Sequence, residues 1–335
     1  MNWASGFSAK YYMTMVDTVT WRDIDRIELT GGSIKKETSG LRESADVETI
    51  DYPHSGEKWV RIYLDVNQAG SNEHVALFTG LATSPSINFN GNHKENSIRC
   101  YSVLKPADDV LLPRGWYVPA GVNAGAMIKQ LLDVTPAPVE VVGVTPSLTN
   151  SIIAEDGETK LSMTEKILTA IGWRLKIKGN GSITIEPEAT DPIAILDPLE
   201  YDVIEMEVSV DRDWYECPNC FMAIDDDMTA IARDDSKNSL LSTVNRGREV
   251  WACETSCSLS DTETIEQYAI RQLKELQKIQ VSAEYDRRYI PDVIPTDLIR
   301  LKYPAQNLDG VFQIESQTIT LSNAARTSEK VMGKI

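Results

Sequence analysis

The sequence predicts an α+β, β-dominated protein, and three observations carry that prediction. Short alternating apolar and polar runs, separated by Gly, Pro, Asn and Asp, recur along the whole 335-residue chain. Only three stretches place apolar residues at helical spacing. The longest of these, 260–279, is amphipathic, and alternating segments on both sides of it supply a sheet for its apolar stripe to lie on.

Taken in order, residues 1–105 form an N-terminal β module. Runs 18–21, 24–29, 59–66, 75–79 and 96–103 read as strands, punctuated by turn signals at Gly31-Gly32, Pro53-His54-Ser55-Gly56, Gly70-Ser71-Asn72 and 88–92. Several short strands with no long helix between them imply a closed or sandwich-like unit. The texture changes after Lys105-Pro106. Ala124, Met127, Ile128, Leu131 and Leu132 fall at i, i+3, i+4, i+7 and i+8 behind a capping Asn123. Ser162 and Glu165 suggest a capping box, Ile167, Leu168 and Ile171 a buried stripe, and Gly172 a helix stop. Trp173, Leu175 and Ile177 then alternate with Arg174, Lys176 and Lys178, turn at Gly179-Asn180-Gly181 and return over 183–185. Residues 106–198 are thus a small α+β middle domain that flanking β modules enclose.

The C-terminal module, 199–335, starts with alternating Ile204, Met206, Val208 and Val210. Strands over 215–224, 229–233 and 248–259 follow, then a helix over 260–281 with Ser260 and Glu263 as its capping box. Ile265, Tyr268, Ala269, Gln272, Leu273, Leu276 and Ile279 line one side of that helix. Strands over 298–303 and 311–321 follow Pro291 and Pro295.

Bulk properties narrow the function. With 42% hydrophobic and 25% charged residues the chain reads as a soluble globular protein. No stretch approaches eighteen apolar residues and no basic leader opens the sequence, so synthesis and folding in the cytoplasm without membrane insertion are expected. A net charge of −17 has the wrong sign for gripping phosphate backbones, so specific nucleic-acid binding is not expected. It leaves room for a surface past which nucleic acid slides.

No catalytic, cofactor-binding or metal residues are assigned. Cys217, Cys220, Cys253 and Cys257 have two short spacings of the kind that close a tetrahedral zinc site, but the second spacing is one residue too long and neither pair has a glycine-rich knuckle. Unligated core and surface thiols are the simpler reading. The acidic runs 225–227 and 234–235 lack the spacing that wraps calcium and read as solvated turns. His54, His74 and His93 stand in loop or strand-end contexts with no nucleophile elbow, phosphate loop or H-E-x-x-H motif in the chain. The seven tryptophans are spread one per element, as core or interface anchors are.

Several motifs in order resemble phage tail hub proteins of the late-control-D type. They are the Thr20-Trp21 segment with Leu29-Thr30-Gly31-Gly32-Ser33, then Phe78-Thr79-Gly80-Leu81-Ala82-Thr83-Ser84-Pro85, and Pro119-Ala120-Gly121-Val122-Asn123-Ala124 before a helix. Asn245-Arg246-Gly247-Arg248 and Pro295-Thr296-Asp297-Leu298-Ile299-Arg300-Leu301 complete the likeness, with Thr296 where the family often has glycine. The resemblance implies two tube-like antiparallel β modules around the middle domain. It also implies a non-enzymatic baseplate hub of the virion tail, assembled in the host cytoplasm. Three copies would form a ring whose nearly sixfold face meets the hexameric tail tube and whose other face meets a central spike or tip, leaving a conduit for DNA. Some relatives continue into a cell-wall-degrading domain, and none is expected here. The rival expectations are a tail-associated cell-wall hydrolase and a zinc-stabilised binding module.

Overall fold

A computed structural model of the chain describes all residues except 1, 4, 5, 55, 91, 92, 200–203, 226, 227, 256–263, 278, 279, 323, 324 and 335. It divides into two compact units, Met1–Val208 with Glu284–Val331, and Ser209–Ala283 with Met332–Ile335.

The chain opens with strands β1 (Ser8–Val16), β2 (Asp23–Glu28), β3 (Gly31–Glu37), β4 (Glu43–Thr49), β5 (Lys58–Gln68), β6 (Ser71–Ala82), β7 (Ser86–Asn90) and β8 (His93–Ser102). Next come α1 (Lys105–Asp109), β9 (Tyr117–Val118), α2 (Ala124–Leu131), β10 (Val139–Val141), β11 (Ile152–Ile153), α3 (Lys160–Ile171), β12 (Trp173–Ile177), β13 (Ile183–Pro187) and β14 (Ala194–Leu196). After β15 (Ile204–Asp213) the chain forms β16 (Cys220–Asp225), β17 (Met228–Arg233), α4 (Thr243–Arg246), β18 (Trp251–Thr255) and α5 (Ile265–Leu276). It closes with β19 (Gln280–Arg288), β20 (Leu298–Tyr303), β21 (Leu308–Thr320) and β22 (Arg326–Lys334). The fold is β-dominated α+β, as the sequence predicts, and no helix among the described residues is long and apolar enough to cross a membrane.

The main sheet runs β15-β19-β22-β21-β3-β4-β8-β6-β5-β1-β2, with β7 on β8, β20 on β21 and β14 on β20. An antiparallel ladder from Ser316↔Glu37 to Thr320↔Ser33 therefore joins strands from the two ends of the chain in one sheet. Its core packs Met13, Ile34, Val47, Ile62, Leu64, Phe78 and Ile98 with Ile319 and Leu321. A second core, around Leu104, Ile128, Leu132, Met163, Ile167, Leu175 and Ile183, lies under α2, α3 and the β10-β13-β12 sheet.

Several expectations are corrected. Residues 18–21 form a turn: the Asp17 carboxylate accepts from the amides of Val19 and Thr20 and from the Thr20 hydroxyl, and Trp21 has φ 55°. Gly31-Gly32 opens a strand, with Gly32 required because a Cβ there would stand 2.4 Å from the Asp46 carbonyl oxygen. β1 lacks alternation because its last six residues are all buried. Helix α3 starts earlier than expected, on a capping box of Thr159 and Ser162, and ends as expected at Gly172 with φ 63°. α2 has the predicted Asn123 cap, which accepts from Ala126 N at 2.9 Å. The Ser260–Glu263 box lies outside the described residues, and α5 is capped instead by Thr264 and Gln267. The strand read from 215 begins only at Cys220, and the strand read over 248–259 is described as β18 alone.

The middle segment is stapled to the main sheet by named side chains. The β12–β13 turn seats on β5 and β6: Thr79 Oγ1 donates to Gly179 O at 2.7 Å, and Arg61 Nη2 and Trp21 Nε1 donate to Asn180 O at 3.0 and 3.1 Å. Arg42 forks onto Glu165 at 2.7 and 2.8 Å and donates to Leu175 O. Arg174 Nη1 donates to Thr296 O at 2.5 Å and pairs with the fully buried Asp297 at 3.2 Å. These charge-assisted bonds fix orientation in a way that apolar contact alone does not.

Candidate assembly interface

The second unit is built on the sheet β17-β16-β18, in which β16 is antiparallel to β17 and parallel to β18. Side chains alternate across β16. Phe221 and Ala223, with Ala230 and Ala232 of β17, face α5 and bury Ile265, Tyr268, Ala269 and Leu273. The small alanines let the helix lie close; its sheet comes from β16 and β17, both before it in the chain, and not from the flanking segments 204–210, 298–303 and 311–321 that the sequence suggests, which belong to the main sheet. The opposite rungs are Arg233–Cys220–Trp251 and Ile231–Met222–Cys253. Ile231 and Trp251 on that face are 57% and 46% exposed.

Asn245-Arg246-Gly247-Arg248 shapes the region beside it. Ser242 caps α4 by accepting from Asn245 N, and Gly247 ends it with φ 64°. Asn245 Nδ2 donates to the carbonyls of Lys237 and Ser239. The two arginines reach back to the segment before β16: Arg246 donates to Cys217 O and Tyr215 O at 2.6 and 2.7 Å, and Arg248 donates to Tyr215 O at 2.6 Å while lying 4.2 Å over the Tyr215 ring. Fully buried Asn219 locks the same loops, donating to Leu241 O and Arg248 O and accepting from Val250 N. The result is a groove of about 490 Å³ lined by Trp214, Tyr215, Leu240, Leu241, Arg246 and Arg248. Its apolar walls stay open, with Tyr215 69% and Leu240 71% exposed. Arg233, by contrast, is neutralised by Asp235 and Glu249. An aromatic and arginine-lined groove is the composition expected of a protein contact.

The other sequence candidates are placed as follows. Cys220 is buried at the start of β16, Cys253 is exposed one rung further along, Cys217 is half-buried in the preceding loop, and Cys257 lies outside the described residues. Burial, then the Glu249 carboxylate, pushes the Cys220 thiol up, away from the thiolate that metal binding or nucleophilic attack requires. No three His, Cys, Asp or Glu side chains among the described residues come together as a metal site. Asp234 accepts from Ser236 N and Gln277 Nε2, and Asp235 from Arg233 and Thr243, so both carboxylates hold the loop around α4. Asp226 and Asp227 are outside the described residues. His54 packs edge-on against Tyr52, His74 Nδ1 sits 2.5 Å from Asp65, and His93 opens β8. Trp3, Trp21, Trp59, Trp116 and Trp173 pack against the two cores of the first unit, whereas Trp214 is 48% exposed. The groove itself went unrecognised in the sequence because Trp214, Tyr215 and Leu240 lie in irregular segments, where periodicity carries no signal.

No family model matches the chain, and no curated protein matches it. Solved structures do. A tail protein from Neisseria meningitidis MC58 is similar over 98% of this chain and 97% of its own, with a TM-score of 0.63 at 15% identity. The 43 kDa tail protein of prophage MuSo2 from Shewanella oneidensis is similar over 96% of this chain and 97% of its own, with a TM-score of 0.64 at 13% identity. The structure of a PdpA–VgrG complex covers 98% of this chain with 65% of its own, at a TM-score of 0.57 and 7% identity. The fold of this chain is that of phage tail proteins, as its motifs imply.

Proposed function

We propose that this chain is a structural, non-enzymatic hub of a phage-type tail baseplate. The observation that carries the reading is the likeness to two tail proteins over nearly the full length of both chains, which leaves no large part of either fold unaccounted for. In this reading three copies close into a ring, its pseudo-sixfold face seats on the hexameric tail tube or distal tail proteins, and its other face holds a central spike or tip. The likeness to a VgrG-containing complex supports the spike side. The domains 1–105, 106–198 and 199–335 are the ring's working parts, and the hub is incorporated into the virion tail after assembly in the host cytoplasm. The net charge of −17 suits a conduit that DNA traverses without sticking.

Class averages of the purified chain by negative-stain electron microscopy test this. A threefold ring with a central opening is expected. Turnover of purified peptidoglycan that is lost on changing one or two carboxylates contradicts the reading, and so does tight, salt-sensitive DNA binding.

A further inference from the structure

Resting on the ring reading, we propose that the groove beside α4 is a contact between copies, and that it receives the connector 187–199 of a neighbouring chain. The two surfaces are complementary in charge and polarity. The groove offers Arg246 and Arg248, which among the described residues meet only carbonyl oxygens and a ring, beside exposed Leu240. In a chain of net charge −17, two cations that have no carboxylate partner among the described residues, at one apolar groove, mark a place for an acidic occupant.

The connector has the matching chemistry. Glu188 and Asp191 are exposed, and among the described residues neither forms an ion pair. Ile193, Ile195 and Leu199 are 51%, 49% and 68% exposed, on a segment that Pro187, Pro192 and Pro198 bias towards extended backbone. β14 within it pairs only with β20 among the described residues, so its outer side is free. A cyclic ring is made of head-to-tail contacts, in which one patch of a copy meets a different patch of the next. A basic apolar groove and an acidic apolar connector on one chain meet that requirement.

Sedimentation velocity of the full chain over a concentration series tests the contact. Leu240→Asp and Ile195→Asp, both at exposed positions outside the loop-locking hydrogen bonds, are expected to weaken trimer formation by about tenfold or more while leaving circular dichroism unchanged. Arg248→Glu and Asp191→Arg should each weaken it, and the two together should recover part of the loss. If the wild-type chain forms a trimer that all these variants match, the groove is not the contact, and the ring reading stands without it. If the wild-type chain remains single at every concentration, the contact and the self-assembling ring fall together.

Discussion

Thr296 is the residue where sequence and backbone disagree most plainly. It stands where the resemblance places glycine, its φ is 78°, and its buried hydroxyl has no hydrogen-bond partner among the described residues. A β-branched residue in that region is strained, and an orphaned hydroxyl adds a desolvation cost. Thr296→Gly is therefore expected to stabilise the chain by about 1 kcal/mol in denaturant unfolding; a loss would mean that the threonine side chain packs better than it strains. Arg287 and Glu329 form a fully buried pair at 2.6 and 2.8 Å, to which Tyr285 and Gln317 also donate. Arg287→Met should cost about 3–5 kcal/mol by stranding the carboxylate, and adding Glu329→Gln should recover a large part of it. Equal losses in the single and double variants would refute that account. Neither partner stood out in the sequence, because pairing across 42 positions is set by the β19–β22 neighbourhood and not by local spacing.

Glu43 argues at the same scale for a pH dependence. Burial raises its pKa to about 7 against the opposing pull of Lys36, 3.6 Å away, and neither carboxylate oxygen has a hydrogen bond of ordinary length among the described residues. It borders a cavity of about 20 Å³ shared with Arg42, Lys176 and Ile294. The folded state holds this proton more tightly than the unfolded state. The stability it contributes is therefore full below about pH 4.5 and is lost as pH rises towards 7, on the order of a few kcal/mol in all. The difference in unfolding free energy between wild type and Glu43→Gln should slope downwards across that window. A flat difference would show that Glu43 ionises freely in the folded protein.

Among the elements, those with strong periodicity or caps were legible. α2, the β12–β13 hairpin and β20 stand where the sequence places them, because their apolar spacing matches the face they bury. Of the stripe expected on α5, only Ile265, Tyr268, Ala269 and Leu273 are buried, whereas Leu276 is 40% exposed and position 279 lies outside the described residues. β1 and β22 were not. β1 is buried along most of its length and so shows no alternation, and β22 is a polar strand that only its neighbours in the sheet stabilise. The β12–β13 turn was read as a turn, but its role as a docking element is visible only in three dimensions. A Cβ on Gly179 would lie 1.7 Å from the Ala76 carbonyl oxygen. Gly179→Ala is expected to cost about 2–4 kcal/mol, since backbone meets backbone there and neither can yield cheaply. A loss below about 0.5 kcal/mol would mean that the turn does not seat tightly on β6.

At the scale of the whole molecule, the sequence carried the fold through the order of its motifs more than through any one of them. Asn245-Arg246-Gly247-Arg248 and Pro295-Thr296-Asp297 prove to be loop-locking devices, one closing the groove loops and the other docking on Arg174. The groove beside α4 was not legible, because exposed apolar residues in loops follow no period. The central claim is that this chain builds a ring, and native mass spectrometry of the purified protein tests it most directly. The account predicts a species near 112 kDa, three times the 37.3 kDa chain, persisting at low micromolar concentration. A single species at 37.3 kDa across the whole concentration range would contradict it.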